Sequence, residues 1–448
     1  MSGASLRDLA VFSAGFLRQT WLREALESAG WRVRVGVEPG KTQAIGVWGR
    51  RPVSARGIRA AERHGLPLLT IEDGFLRSVE PGRREPAVSL LLDDVGVHFD
   101  CAVPSRLEKI LAHDPIADPD LLARAQAGRA LLRAKRLSKY NAFCDKPADL
   151  PNNYVLVIDQ ARADASITHG GAGRRDFGRM LRAAQAEHPE APIVVRAHPA
   201  AKQGHFTQAD LDARTVMAPG DMNPIELLLG ARAVYTVTSQ LGFEAICLGH
   251  RPHVFGQPFY MGWGLSADRQ TNPRRGRALS PDQLFAGAML LYPLWYDPGL
   301  RRQVSFEEAV EGLIARRRLW QITQPGLVLA QVSAWKQSHL KKVLSSPAFA
   351  PGSAQGLELA ARSRQTLGVW ASRMEDTLPA QAAARQVPLL RMEDGFLRSV
   401  GLGAELRPPT SLVLDDLGIY FDPRAPSRLD DLIARSVALG PEALGRAK

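Results

Sequence analysis

Two carboxylates follow an apolar run in VLVIDQARADAS: Asp159 and Asp164, with Gln160 beside the first and Ser166 just past the second. A carboxylate held in a cleft can act as nucleophile or general base toward a sugar carbon that develops positive charge. For either residue alone the plainer reading is a polar turn whose aspartates cap the next helix. Further along, VVRAHP sets Arg196 and His198 at the end of a second apolar run, and TSQLGFEA sets Ser239 ahead of Gly242 and Glu244. Serine at a strand-to-helix turn offers a hydroxyl and free backbone N–H groups to a phosphate. Histidine can donate to a phosphate oxygen, and a glutamate in the first helical turn can accept from both hydroxyls of a ribose. Singly, HP is a strand-end turn and SxxGFE an ordinary helix start. As a pair at strand ends in one α/β half, they read as a nucleotide site.

EDGFLRSV at Glu72–Val79 returns letter for letter at Glu393–Val400, and its flanks SLLLDDVGVHFD and PSRL return as SLVLDDLGIYFD and PSRL. Self-similarity over so long an interval marks a duplicated domain-sized unit rather than a solenoid repeat. In the motif, Glu72 and Asp73 could supply acid/base groups, and Arg77 with Ser78 an anion clamp. The alternative is an acidic turn with Gly74 at a tight bend and Phe75 packed inward. SKYN (Ser138 to Asn141) presents Lys139 to an acidic ligand. The loop FGQPFYMGWGL lines a cleft or packs as a buried aromatic cluster.

Something must position these groups. Over residues 1–145 short apolar runs (DLAVFS, RVRVGVE, AIGVWG, PLLTIE) alternate with amphipathic stretches such as VSARGIRAAERHG, which predicts a mostly parallel sheet wrapped by helices. EDGFLRSV then sits at the C-terminal edge of that sheet, where open α/β sheets bind ligands. A helix is expected over Asp120–Asn141. A second α/β pattern, residues 150–325, has strands at YVLVIDQ, PIVVRAHP, AVYTVTSQ and HVFG, followed by helical segments that return to the first half. Residues 326–355 read as a connecting helix and linker, and 356–448 as the start of a second homologous module. No counterpart of TSQLGFEA occurs in that second copy, so the expectation is one complete cleft and an incomplete second module with apolar surface left uncovered.

The length of 448 residues calls for more than one domain. No apolar run is long enough to span a bilayer, the N-terminus lacks signal-peptide features, and three scattered cysteines make no disulfide framework. A cytoplasmic protein is expected. The net charge of +11 suits phosphate-bearing ligands or an anionic membrane surface. Nucleic acid is the weaker partner, because no nucleic-acid-binding signature accompanies the charge. No metal-ligand spacing appears; LDD at Asp93 and Asp94 is a poor substitute for a DxD pair.

In combination and order, EDGFLRS, SKYN, DQ…DAS, RAHP, SQLGFEA and PFYMGWGL resemble the bacterial capsule polysaccharide synthesis family, and within it the KpsC-type β-Kdo glycosyltransferases. The resemblance covers essentially the whole chain. It implies a GT-B-like fold, two facing Rossmann-like halves forming one cleft, and a retaining transfer of Kdo from CMP-Kdo to a Kdo-primed lysophosphatidylglycerol, with no metal or other cofactor. His198 and Ser239 would hold the CMP phosphate and Glu244 the ribose. Asp164, with Asp159 as the other choice, would be the nucleophile, and Glu72 an acceptor-side acid/base. Arg77, Arg196, Lys139 and Arg162 would meet the Kdo carboxylate and the phosphate, with Gln160 and Gly242 completing the binding set. The implied partners are CMP-Kdo, a lipid-linked acceptor, the inner membrane surface and other capsule assembly proteins, with the enzyme peripheral to that membrane. Transfer of a different nucleotide sugar and a non-catalytic scaffold role are the alternatives.

Overall fold

A computed structural model describes residues 5–38, 40–82, 85–143, 150–197, 204–207, 210–324, 326–344, 347–397 and 411–437. The chain divides into two compact units, Met1–Arg317 and Arg318–Lys448.

The first unit opens with β1 (Arg7–Val11), α1 (Ala14–Arg18), α2 (Thr20–Ser28), β2 (Trp31–Val35), β3 (Thr42–Trp48), α3 (Ala55–His64), β4 (Leu68–Asp73) and β5 (Ser89–Asp93). Strands β1 to β4 pair in parallel, because a helix or long loop carries the chain back each time, whereas β5 returns antiparallel to β4. Helix α3 stops where Gly65 adopts the left-handed conformation at φ 60°, which costs glycine nothing. Next come α4 (Arg106–His113) and α5 (Pro119–Lys135). The helix expected to reach Asn141 ends at Lys135, where Arg136 turns left-handed at φ 53° and Leu137 drops into the interior. SKYN is therefore extended rather than helical, and Tyr140 makes an isolated parallel bridge to Ser78.

A second sheet follows: β6 (Tyr154–Ile158), α6 (Ala165–His169), α7 (Arg174–Glu187), β7 (Ile193–Arg196), β8 (Thr215–Met217), α8 (Pro224–Gly230), β9 (Ala231–Thr236), α9 (Leu241–Cys247), β10 (His253–Val254) and β11 (Ala267–Asp268). Its order is β11-β10-β9-β6-β7-β8, all parallel. β6 and β7 are buried along their whole length, as continuous apolar runs in a parallel sheet covered on both faces should be. The chain then returns through α10 (Pro281–Phe285) and a π-helical turn, Ala286–Leu291, as expected. It adds strands the sequence pattern did not announce: β12 (Pro293–Asp297) joins β5 antiparallel and β13 (Arg302–Gln303) completes a seven-stranded first sheet. Helix α11 (Phe306–Thr323) follows.

The second unit contains β14 (Leu327–Ala330), α12 (Ala334–Val343), β15 (Ala348–Ala350), α13 (Ser353–Ser363), β16 (Thr366–Trp370), α14 (Leu378–Ala384), β17 (Leu389–Asp394), β18 (Leu412–Asp415) and α15 (Arg428–Ser436). This corrects the expectation of a connecting helix and linker over 326–355: LVLA is a buried central strand and AFA an edge strand. Four apolar residues buried on both faces carry no alternation to announce a strand. The order β15-β14-β16-β17-β18 repeats the first sheet's β2-β1-β3-β4-β5, down to the antiparallel last pair. Local chemistry repeats too. Asp93 accepts from the backbone N–H groups of Val95, Gly96 and Arg106, and Asp415 from those of Leu417, Gly418 and Arg428.

Candidate functional site

β4 delivers EDGFLRSV to the C-terminal edge of the first sheet. Gly74 is obligatory there, because a Cβ would lie 1.9 Å from Ser89 Oγ. Two residues earlier, Glu72 lies against Gly49, whose φ of +51° and close approach leave no room for a side chain: a Cβ would sit 1.8 Å from Glu72 Oε1. Burial pushes the Glu72 carboxyl up to about 7, with Asp73 adding to the effect and Lys139 and Arg51 opposing it. Asp73 pairs with Arg77 at 2.8 Å. Arg77 is only 4% exposed, and its guanidinium also donates to Ser78 Oγ. It holds the loop together rather than presenting a free clamp.

Phe75 leaves the first half altogether. Its ring stacks on Phe259 of the PFYMGWG loop at 4.6 Å and lies 5.9 Å from Phe243 of α9, while Gln240 Nε2 donates to its carbonyl at 2.6 Å. The repeated motif is thereby keyed into the second half by an aromatic cluster and a hydrogen bond. Of the two readings of the FGQPFYMGWGL loop, aromatic packing is the one seen: Phe255, Phe259, Tyr260 and Trp263 are all buried.

SKYN joins the two halves. The Arg77 and Ser78 N–H groups donate to the Lys139 carbonyl, Asn141 N–H donates to the Val79 carbonyl, and Asn141 Nδ2 donates to the Ser78 carbonyl. On the other side, Ser138 Oγ donates to Glu244, 2.8 and 3.0 Å from its two carboxylate oxygens. Burial pulls the Lys139 ammonium down, yet the charges of Tyr140, Asp73, Glu72 and Asp164 outweigh that and leave it raised. Lys139 thus feels the charges of a carboxylate pair from the first half and of Asp164 from the second.

In the second half, Asp159 ends β6 and is 4% exposed. Its carboxylate accepts from the backbone N–H groups of Gln160, His205 and Phe206, and a Cβ on Gly204 would lie 2.1 Å from its Oδ2. Asp164 is half-buried and caps α6: one oxygen accepts from Ser166 N–H at 2.9 Å, the other lies 3.3 Å from Gln160 Nε2. Gln160 is itself buried and bolts β6 to β9, accepting from Thr238 N–H and donating to Thr238 Oγ1. Arg196, at the end of β7, donates to the Met222 carbonyl and lies over Phe143; burial lowers it to about 10 against the pull of Glu244. Ser239 accepts from Leu241 N–H and receives Tyr260 Oη on its carbonyl. Gly242 admits that tyrosine, since a Cβ would lie 2.2 Å from Tyr260 Oη. Glu244 is 8% exposed and burial pushes it up to about 7, with Ser138, Gln240 and Arg196 holding it lower than burial alone would.

These groups wall one cavity of about 100 Å³ at the junction of the halves. Its lining includes Ser138, Lys139, Asp159, Arg196, Ser239 and Glu244. Five residues singled out from sequence therefore converge: Lys139, Asp159, Arg196, Ser239 and Glu244. Glu72 and Asp164 do not line the cavity; each bears on it only through the field at Lys139. Arg77, Gln160 and Gly242 serve the packing around the cavity, and His198 lies outside the described residues. Sequence reasoning passed over Ser138 and Gln240, which tie Glu244 down, and His98. His98 packs edge-on against Phe75 at 5.0 Å, and burial together with the Lys139 charge lowers its imidazole to about 3. The signal for His98 was its place in the repeated VGVHFD stretch. Among the described residues no three or more His, Cys, Asp or Glu side chains gather as a metal would need, and no helix is long and apolar enough to cross a membrane.

Comparison with known proteins now bears on this geometry. A family model described as "Capsule polysaccharide biosynthesis protein" matches residues 43–148, 144–295 and 367–447, so the repeated stretch is matched in both copies. The chain is 36% identical over 416 residues to the capsule polysaccharide modification protein LipA of Neisseria meningitidis serogroup B (strain ATCC BAA-335 / MC58), covering 88% of this chain and 59% of LipA. It thus spans about three fifths of that relative's length. Among solved structures, it is similar to the β-Kdo 2,4 transferase of Thermosulfurimonas dismutans KpsC, at 34% identity and a TM-score of 0.66, covering 69% of this chain and 99% of that one. The β-Kdo 2,7 transferase of the same KpsC gives 27% identity and a TM-score of 0.55 over the same shares. The fold is accordingly α/β and GT-B-like, two sheets facing across the cavity.

Proposed function

From a chain that belongs to the capsule polysaccharide biosynthesis protein family, we propose a retaining β-Kdo glycosyltransferase. It moves Kdo from CMP-Kdo to a Kdo-primed lysophosphatidylglycerol, extending the linker on which capsular polysaccharide is carried. The observation that carries this reading is the cavity where Lys139, Asp159, Arg196, Ser239 and Glu244 meet, with the Lys139 ammonium held raised by the charges of Tyr140, Asp73, Glu72 and Asp164. A nucleotide monophosphate and an acidic sugar both need cationic and hydroxyl donors in a partly dry pocket.

Asp164 is the nucleophile in this proposal. Asp159 has spent its lone pairs on three backbone amides, whereas Asp164 is half-buried with one oxygen bound to a single amide. Asp164 attacks the anomeric carbon of Kdo, the bond from that carbon to the phosphate oxygen breaks, and CMP leaves with the electron pair. In the second step Glu72 takes the proton of an acceptor hydroxyl, which displaces Asp164 and restores the original configuration. A carboxyl pushed to about 7 suits a group that must accept a proton near neutral pH. Lys139 meets the Kdo carboxylate, Ser239 and His198 the phosphate, and Glu244 the ribose. No residue in this scheme calls for a metal. The 2,4 linkage is favoured over the 2,7 because the likeness to the 2,4 transferase is the stronger of the two in identity and TM-score. The net charge of +11 suits an anionic donor and a lipid acceptor at the inner leaflet.

The test is purified protein with CMP-Kdo and a synthetic Kdo-primed lipid acceptor, followed by mass spectrometry and by NMR of the new linkage. One added Kdo in β configuration is expected. Release of CMP without any acceptor product, or no turnover with this donor alongside turnover with another nucleotide sugar, overturns the assignment.

A further inference from the structure

His205 and Phe206, whose backbone N–H groups donate to Asp159, form part of a second groove. One wall is a face of α7: Arg174, Phe177, Gly178, Leu181, Arg182 and Gln185, spaced three and four residues apart as one helical stripe. The other wall is formed by His205, Phe206 and Asp210, and the space between the walls measures about 230 Å³. Gly178 supplies the depth, and Arg182 folds back over it, its Nη1 lying 3.3 Å from where a Cβ would stand.

His205 is the unusual member. Its ring lies flat on Phe177, with centroids 3.6 Å apart, and the residue is 9% exposed. Among the described residues neither ring nitrogen has a hydrogen-bond partner. A buried polar group left unpaired costs stability, so such groups persist where something else satisfies them. Arg174 and Arg182 are both exposed, and neither makes a hydrogen bond or ion pair within the described residues. The nearby charges are Asp159 at the end of β6, Arg162 in the loop after it, Arg174 on α7 and Asp210, which is occupied by Thr207. Arginines with a buried imidazole donor over an apolar floor match a small anion with a hydrophobic body.

We propose that this groove is an anion-binding site distinct from the nucleotide cavity, taking a small phosphate- or carboxylate-bearing molecule between Arg174, Arg182 and a ring N–H of His205. The site is wired to the cavity. The His205 backbone N–H donates to Asp159, which lines that cavity, so an occupied groove stiffens the loop on which the Asp159 carboxylate is fixed.

The test is histidine ring NMR on the full chain, with the His205 signal assigned by its loss in His205→Asn. Inorganic phosphate and sodium glucuronate are titrated separately. Saturable movement of the His205 signal is expected with at least one of them, and whichever saturates names the anionic group. It should persist in saturating CMP and weaken about tenfold or more in Arg174→Gln/Arg182→Gln, whose exposed positions keep the fold intact. A shift that grows linearly with salt, an affinity untouched by the arginine pair, or displacement by CMP each overturns the proposal. None of these readings depends on Kdo transfer, so failure of either assignment leaves the other standing.

Discussion

Ser138 and Glu244, 106 residues apart in sequence, meet with the serine hydroxyl 2.8 and 3.0 Å from the two carboxylate oxygens. Ser138 belongs to a segment whose backbone is paired with EDGFLRSV, and Glu244 to the first turn of α9. The contact therefore fixes the first half to the helix that fronts the cavity. Ser138→Ala leaves a buried carboxylate short of a donor and should cost about 1–3 kcal/mol in urea unfolding. An unchanged midpoint would show that Gln240 alone suffices to hold Glu244.

Glu244 also makes stability depend on pH in an uncommon direction. Its folded pKa is raised, to about 7, so the folded state binds the proton more tightly than the unfolded chain does. Stability is then greatest below about pH 4.5 as far as this group is concerned, and falls as pH rises toward 7, by up to about 3 kcal/mol. Glu244→Gln, neutral throughout, should flatten that slope. Denaturant melts of the two proteins at pH 5 and pH 7.5 settle the point, and parallel pH profiles would exclude a raised Glu244.

Glu72 carries the corresponding prediction for activity. With a carboxyl near 7 acting as base, kcat/KM for transfer should climb as pH rises through about 7. Glu72→Gln should lower it by about 10²–10⁴ and remove that limb. A substitution that slows the reaction while keeping the same pH profile would assign the titration to another group.

The two aspartates should separate cleanly. Asp164→Ala should lose transfer by about 10³ or more while still binding CMP and melting within about 1 kcal/mol of the parent, the cost of one helix cap. Asp159→Asn, which disturbs a carboxylate accepting from three backbone amides, should lower the melting temperature and weaken CMP binding together. If Asp164→Ala retains full activity, the nucleophile lies elsewhere and Asp159 becomes the first choice.

Much of this arrangement could be read from residue order. The strand ends that carry Asp159, Arg196 and Ser239 followed from apolar runs broken by polar residues, and those three do meet at one cavity. Two readings went astray for the same reason. From sequence SKYN reads as the tail of a helix and LVLA as part of a connector, because neither segment shows the periodicity of the element it forms. What sets them is pairing with distant chain: Tyr140 with Ser78, and β14 with β15 and β16.

The repeated EDGFLRSV shows where the boundary between the two kinds of information falls. By itself, the sequence determined that both copies end a strand and begin a glycine bend. Gly74 against Ser89 and Gly395 against Ser411 have the same close fit, since that geometry depends on the hairpin alone. Tertiary structure decided what the bend presents. Phe75 is 4% exposed, covered by Phe259 and Phe243 from the second sheet, whereas Phe396 is 68% exposed. It likewise decided that Arg77 is spent on Asp73, that Asp159 is spent on amides 46 and 47 residues away, and that Lys139 feels carboxylate charge from both halves. Local geometry is written in local sequence; charge and burial are set by whichever distant surfaces the fold brings near.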